Sequence, residues 1–139
     1  MIFDGHRLFW NRARQITFFL LRIASGFLFL QAGGLKLFGW FGGVPGMKTV
    51  PLLTQLGVAG ILEFFGGTAI LLGLFTHPIA FILSGEMAVA YWQAHAPQGT
   101  WPIVNQGMPA VLFCFIFLFF AAYGGGDWSL DALLWGRRG

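Results

Sequence analysis

The chain has 139 residues, of which 57% are hydrophobic and only 9% charged, with a formal net charge of +3. Soluble domains carry about 25% charged residues, so this is the composition of a membrane protein, with room for four crossings at about 20 apolar residues each and none for a separate soluble domain. The basic residues gather near the ends of apolar runs, where they orient a protein in the bilayer rather than form a nucleic-acid surface, and the single cysteine, Cys114, excludes an intramolecular disulfide and a CxxC redox pair.

Residues 1–14, MIFDGHRLFWNRAR, read as a short interfacial segment, with Phe9 and Trp10 at headgroup level and the arginines toward phosphate. A cleavable leader is not expected, because the apolar run from Ile16 is too long for an h-region and no small-x-small site closes it. The first span covers about 15–38. On it Arg22, Ser25, Gly26, Gly33 and, more loosely, Lys36 share one small, polar face that points inward, whereas Gln31 points the opposite way toward a second contact. Residues 39–54 form a Gly- and Pro-rich loop with Lys48, interrupted by Pro45 and Pro51.

The second span, about 55–75, carries Glu63 in the middle of an apolar run, with Ala59, Gly60, Gly66 and Gly67 three and four residues away as a smooth strip for close helix approach. Thr76-His77-Pro78 reads as a tight turn. The third span, about 78–96, carries Glu86, with Ala90 and Gln93 four and seven residues on. A second loop follows over 94–107, with Trp101 and Asn105. The fourth span, about 108–123, is uncharged, rich in phenylalanine and leucine, and suited to face lipid. Residues 127–138 read as an interfacial segment, capped by Asp127 or Ser129 and ending at Arg137 and Arg138. The expected fold is all-α: one integral membrane four-helix bundle over residues 1–139. Arg7, Arg12, Arg14, Arg137 and Arg138 on one side, against Lys48 and a snorkelling Lys36 on the other, make both termini cytoplasmic.

A carboxylate buried in hydrocarbon costs several kcal/mol unless a partner, water or a proton compensates it, so Glu63 and Glu86 need an explanation. Counted from the span ends at 1.5 Å per residue, Arg22 lies roughly 10 Å deep, Glu86 roughly 12 Å and Glu63 roughly 18 Å. This predicts a buried Arg22, Glu63, Glu86 cluster in which one arginine serves both acids, leaving one acid to hold a proton. Two readings stand: the network fixes helix order without chemistry, or it lines a ligand pocket or proton path. His77 and His95 lie at opposite ends of the third span, roughly 27 Å apart at the helical rise, so they do not ligate one haem or metal. His95 reads as an interfacial residue bonding the second loop, and Cys114 as a small buried hydrophobe. The seventeen phenylalanines suit lipid and core, and also an apolar ring such as a quinone.

RIASGFLFLQAGGLKLF from Arg22, LEFFGGTAILLGLFT from Leu62, HAPQGTWPIVNQG from His95 and WSLD from Trp128 occur in that order within roughly residues 15–133. Together they resemble the DoxX family of small bacterial inner-membrane proteins. The resemblance implies four spans, a bacterial inner-membrane location and a link to membrane redox and thiol or oxidative-stress systems. Carried over, the family's span-one Arg falls on Arg22, its Gly/Lys end on Gly33 and Lys36, its span-two Glu on Glu63 and its loop Asn on Asn105. Many relatives read N-x-G-E before the fourth span; here Met108 stands in place of that acid, so any chemistry it performs is absent or rests on another group.

The expectation is a membrane component of a redox or oxidative-stress system that binds a quinone or similar apolar molecule, or docks an oxidoreductase. Arg22, Glu63 and Glu86 form its primary site, and Gln31, Lys36, Gln93, His95 and Asn105 are secondary. No metal and no covalently bound cofactor are expected. Its partners are the bilayer, an oxidoreductase and further copies of itself. A proton-coupled carrier using the same acids and a ligand-free assembly protein are the alternatives. A stand-alone enzyme is not expected, since the chain has no cysteine pair, haem ligands, nucleotide motif or zinc-type spacing.

Overall fold

A computed structural model describes residues 2–47 and 49–136. The chain is 80% helical, with no strand among the described residues. Lys48, Arg137 and Arg138, which the orientation argument used, lie outside them.

Helix α1 runs unbroken from Ile2–Phe38, about 55 Å at the helical rise and well beyond the ~30 Å of bilayer hydrocarbon. The expected division at residue 14 into an interfacial segment and a span is therefore absent. Physically, nothing between His6 and Ser25 breaks a helix, there being neither glycine nor proline in that stretch. Arg7, Arg12 and Arg14 ride exposed on the N-terminal turns.

After a loop containing a 3₁₀ turn at Trp40–Gly42, α2 spans Gln55–Leu72, with Thr54 accepting from the Gly57 N–H as its N-cap. The two helices pack antiparallel and very closely. A Cβ at Gly26 would overlap the Leu71 and Gly67 backbone, and one at Gly33 the Phe64 backbone, while Gly60 faces Lys36 and Leu37. Only glycine admits backbones at that separation.

The turn into α3 sits earlier than expected. Gly73, with φ of 68°, takes the left-handed position that ends α2, so α3 begins at Thr76 and runs Thr76–Ala90. The Phe75 and Thr76 N–H groups at its start donate to the Asp131 carboxylate at 2.7 and 2.9 Å. A π-helical turn, Tyr91–His95, continues α3. The short α4 (Pro102–Asn105) precedes α5 (Met108–Tyr123). The last element, α6 (Leu130–Trp135), is capped by Ser129, whose hydroxyl accepts from the Ala132 N–H. Asp127 is engaged elsewhere, accepting from Gln15 at 3.1 Å.

Phe29 of α1, Ile70 of α2, Ala80 and Leu83 of α3, and Phe117 and Phe120 of α5 form one buried core. Its aromatic seam joins α1 to α5, with Phe29 and Phe117 centroids 4.5 Å apart and edge-on, as ring quadrupoles prefer. Phe27, Phe65, Phe81 and Phe115 face outward instead. Helices α1 and α2 are long and apolar enough to cross a membrane, while α5 is apolar but shorter. An apolar belt around a core is what lipid permits and water penalises.

Candidate functional site

The close α1–α2 packing brings the last turn of α1 down onto the middle of α2. Gly60 leaves room for the Lys36 stem, and the Lys36 ammonium forms an ion pair with Glu63 Oε2. Glu63 is 5% exposed, and the Lys36 side chain keeps 18% of its surface. From α3, Glu86 enters the electrostatic field of both Glu63 and Lys36. Its carboxyl lies beside that of Glu63, close enough for the two to share a proton, and no other donor reaches its two solvent-shielded oxygens. Buried carboxyl oxygens are nearly always paired. The site thus combines one ammonium, two carboxyl groups and an unmet capacity for hydrogen bonding.

Arg22 does not join this cluster, contrary to the expectation. It lies 14 positions before Lys36, about 21 Å along α1 at the helical rise. There, 2% exposed, it donates to the carbonyls of Ile70 at 3.1 Å, Gly125, and Trp128 at 2.9 Å, with its guanidinium 5.3 Å from the Phe19 ring centroid. Depth counted from span ends misplaced it, because α1 starts well before residue 15 and α2 ends at Leu72. The register between the two helices sets relative depth, and Gly33 against Phe64 puts Arg22 level with the end of α2.

The secondary residues divide. Lys36 belongs to the central cluster rather than snorkelling free. Gln93 receives a hydrogen bond from Gln55, which ties the continuation of α3 to the start of α2. Asn105, 1% exposed, donates to the Gly99 carbonyl and the Tyr91 hydroxyl and accepts from the Gly107 N–H. His95 meets the Asn105 carbonyl at 3.1 Å. These contacts staple the second loop and use both amide hydrogens of Asn105. Gln31 has no hydrogen-bond partner among the described residues and lies toward the outward face of α1 shared by Phe27 and Leu28. The signal in the sequence for Lys36 as the partner of Glu63 was the glycines. Gly26, Gly33, Gly60 and Gly67 mark the faces along which the two helices approach, and the observed register, Gly33 against Phe64 and Gly60 against Lys36 and Leu37, lays Lys36 beside the turn that carries Glu63.

Two cavities, of about 640 and 630 Å³, open at the other end of the molecule, around residues 73–78 and 122–136 and along the first turns of α1. Neither touches Lys36, Glu63 or Glu86.

A family model, DoxX, matches residues 17–96, a segment that includes Arg22, Lys36, Glu63 and Glu86 but ends before Asn105. An uncharacterized protein of Haemophilus influenzae is 39% identical over 126 residues, covering 87% of this chain and 94% of its own. No solved structure matches.

Proposed function

The chain belongs to the DoxX family, and on that premise we propose that it is a membrane component of a redox or oxidative-stress system, with Lys36, Glu63 and Glu86 holding a proton beside a quinone or similarly apolar ligand. The observation that supports this reading is Glu86. A carboxyl group shut away from water, whose close polar neighbour is a second carboxyl, contributes nothing to packing that an apolar residue would not supply better. It fits the polar end of an otherwise apolar ring, accepting from a hydroxyl or, when protonated, donating to a carbonyl. With one ammonium among two carboxyl groups, charge balance in hydrocarbon requires one proton on the pair. Lys36 is paired to Glu63, so Glu86 is the carboxyl without a cation of its own, and the reading assigns it the proton that is taken up and released. A quinone would supply the electron chemistry that these side chains lack, with an oxidoreductase as its electron partner.

In this reading the whole chain is one four-helix bundle in a bacterial inner membrane, with both termini cytoplasmic. The core shared by α1, α2, α3 and α5 favours the bundle. The π turn favours a third crossing, since α3 with Tyr91–His95 reaches about 30 Å at the helical rise. The exposed arginines of α1 favour the orientation, since Arg12 and Arg14 face the segment from Tyr123 to Trp128 across one cleft and so lie at the same end as it.

Native mass spectrometry of protein extracted with its own lipids, on the parent and on Glu86→Gln, tests the reading. A bound apolar small molecule in the parent that is lost in a folded Glu86→Gln supports it. Phospholipid alone in the parent, together with an unchanged stress phenotype in Glu86→Gln, overturns it.

A further inference from the structure

The 630 Å³ cleft at the N-terminal end of α1 is built differently from the buried acids. One wall is a single stripe of α1, in which Leu8, Asn11, Arg12, Gln15, Phe19 and Arg22 recur every three or four residues. Arg14 borders it, and the other wall is the segment from Tyr123 to Trp128. Three arginines therefore surround one acid, Asp127, whose carboxylate receives the Gln15 amide. Arg12 and Arg14 are exposed, and neither has a carboxylate partner among the described residues. At the floor, Arg22 spends three of its five N–H donors on carbonyls and forms no ion pair among the described residues, with the Asp131 carboxylate within its electrostatic field. Two of its donors remain in a buried position, and Arg12 and Arg14 leave the cleft with more basic than acidic side chains.

We propose that this cleft binds the phosphate group of an anionic phospholipid. The ten positions from Arg12 to Arg22 cover about 15 Å, descending from headgroup level into hydrocarbon. Along that path the walls change from Asn11 and the arginines to Phe18, Phe19, Tyr123 and Trp128. A basic mouth above aromatic walls matches a charged headgroup followed by the apolar start of an acyl chain, and basic pockets between membrane helices are a recurrent form of headgroup recognition. A free phosphate ion would use the mouth and leave the aromatic walls without a partner.

The test is native mass spectrometry of the full chain in detergent, titrated with phosphatidylglycerol, with phosphatidylcholine of identical chains, and with inorganic phosphate as competitor. The parent retains phosphatidylglycerol about tenfold more than phosphatidylcholine, and Arg12→Gln/Arg14→Gln removes that preference. Arg7→Gln, an exposed arginine outside the cleft, leaves retention within about twofold. Both substitutions fall on exposed side chains, and an unchanged thermal transition verifies folding. Failure of millimolar phosphate to displace the lipid assigns the site to a headgroup. Displacement retains the phosphate chemistry but transfers it to a soluble source, which overturns the lipid assignment. Equal retention of the two lipids by the parent, or an equal loss in Arg7→Gln, overturns the site itself.

Discussion

The two ends of the α1–α2 pair each bury charge, and they treat it in opposite ways. At the Arg22 end the guanidinium is clamped by three backbone carbonyls from α2 and the C-terminal segment, and nearby Asp131 is spent on the first N–H groups of α3. At the Lys36 end one ion pair is made and Glu86 is left with a second carboxyl as its close polar neighbour. Both lie in one rigid helix pair about 21 Å apart, so the difference belongs to local partners rather than to depth. Three bonds to backbone make the guanidinium a tie between α1, α2 and the C-terminal segment, whereas the Glu86 carboxyl ties no backbone together and is available to something else.

The largest expected effect tests the Arg22 end. Arg22→Met removes donors from three carbonyls at once, and hydrogen bonds to charged groups are worth about 1.5–3 kcal/mol each. Unfolding in a denaturing detergent series should show a loss of about 3–5 kcal/mol, with the C-terminal segment becoming accessible to protease. A variant that stays stable yet loses the stress phenotype would reverse the comparison and make Arg22 the functional cation. Next in size is Gly33→Ala, whose Cβ meets the Phe64 backbone. Overpacking of this kind costs about 1–3 kcal/mol, and by spreading the helices it should weaken the Lys36–Glu63 pair. Gly85→Ala, with nothing within 4 Å of the added carbon, is the neutral control, and equal losses in the two would remove the role given to interhelical register.

Much of this was legible from residue order. The apolar runs gave the long helices, and the two acids stood out because hydrocarbon penalises them wherever they fall. The cation was not legible by depth. Arg22 attracted the assignment as a charge at about the right count from a span end, but its true partners are carbonyls of Gly125 and Trp128, backbone groups that no side-chain pattern reveals. Lys36 was read as snorkelling because it closes a helix, whereas the register of the glycine-lined faces of α1 and α2 brings it against Glu63. The fusion of residues 2–14 with the first span and the π turn after Ala90 were hidden for a related reason. Both depend on the absence of a break, and absence leaves no motif.

The smaller effects sharpen the Lys36 end. Glu63→Gln leaves the Lys36 ammonium without its ion-pair partner and should cost about 1–3 kcal/mol. Glu86→Gln should cost less than about 1 kcal/mol, since the new amide can donate to Glu63 in place of a shared proton. The two acids are therefore separable: one variant is read mainly as stability, the other mainly as function. Infrared difference spectroscopy on isotope-exchanged protein supplies the independent check, because a protonated carboxyl absorbs apart from the amide bands. That band should be present in the parent, persist in Arg22→Met where folded, and vanish in Glu86→Gln. Its persistence in Glu86→Gln and loss in Glu63→Gln would move the proton to Glu63 and leave Glu86 as the partner of Lys36.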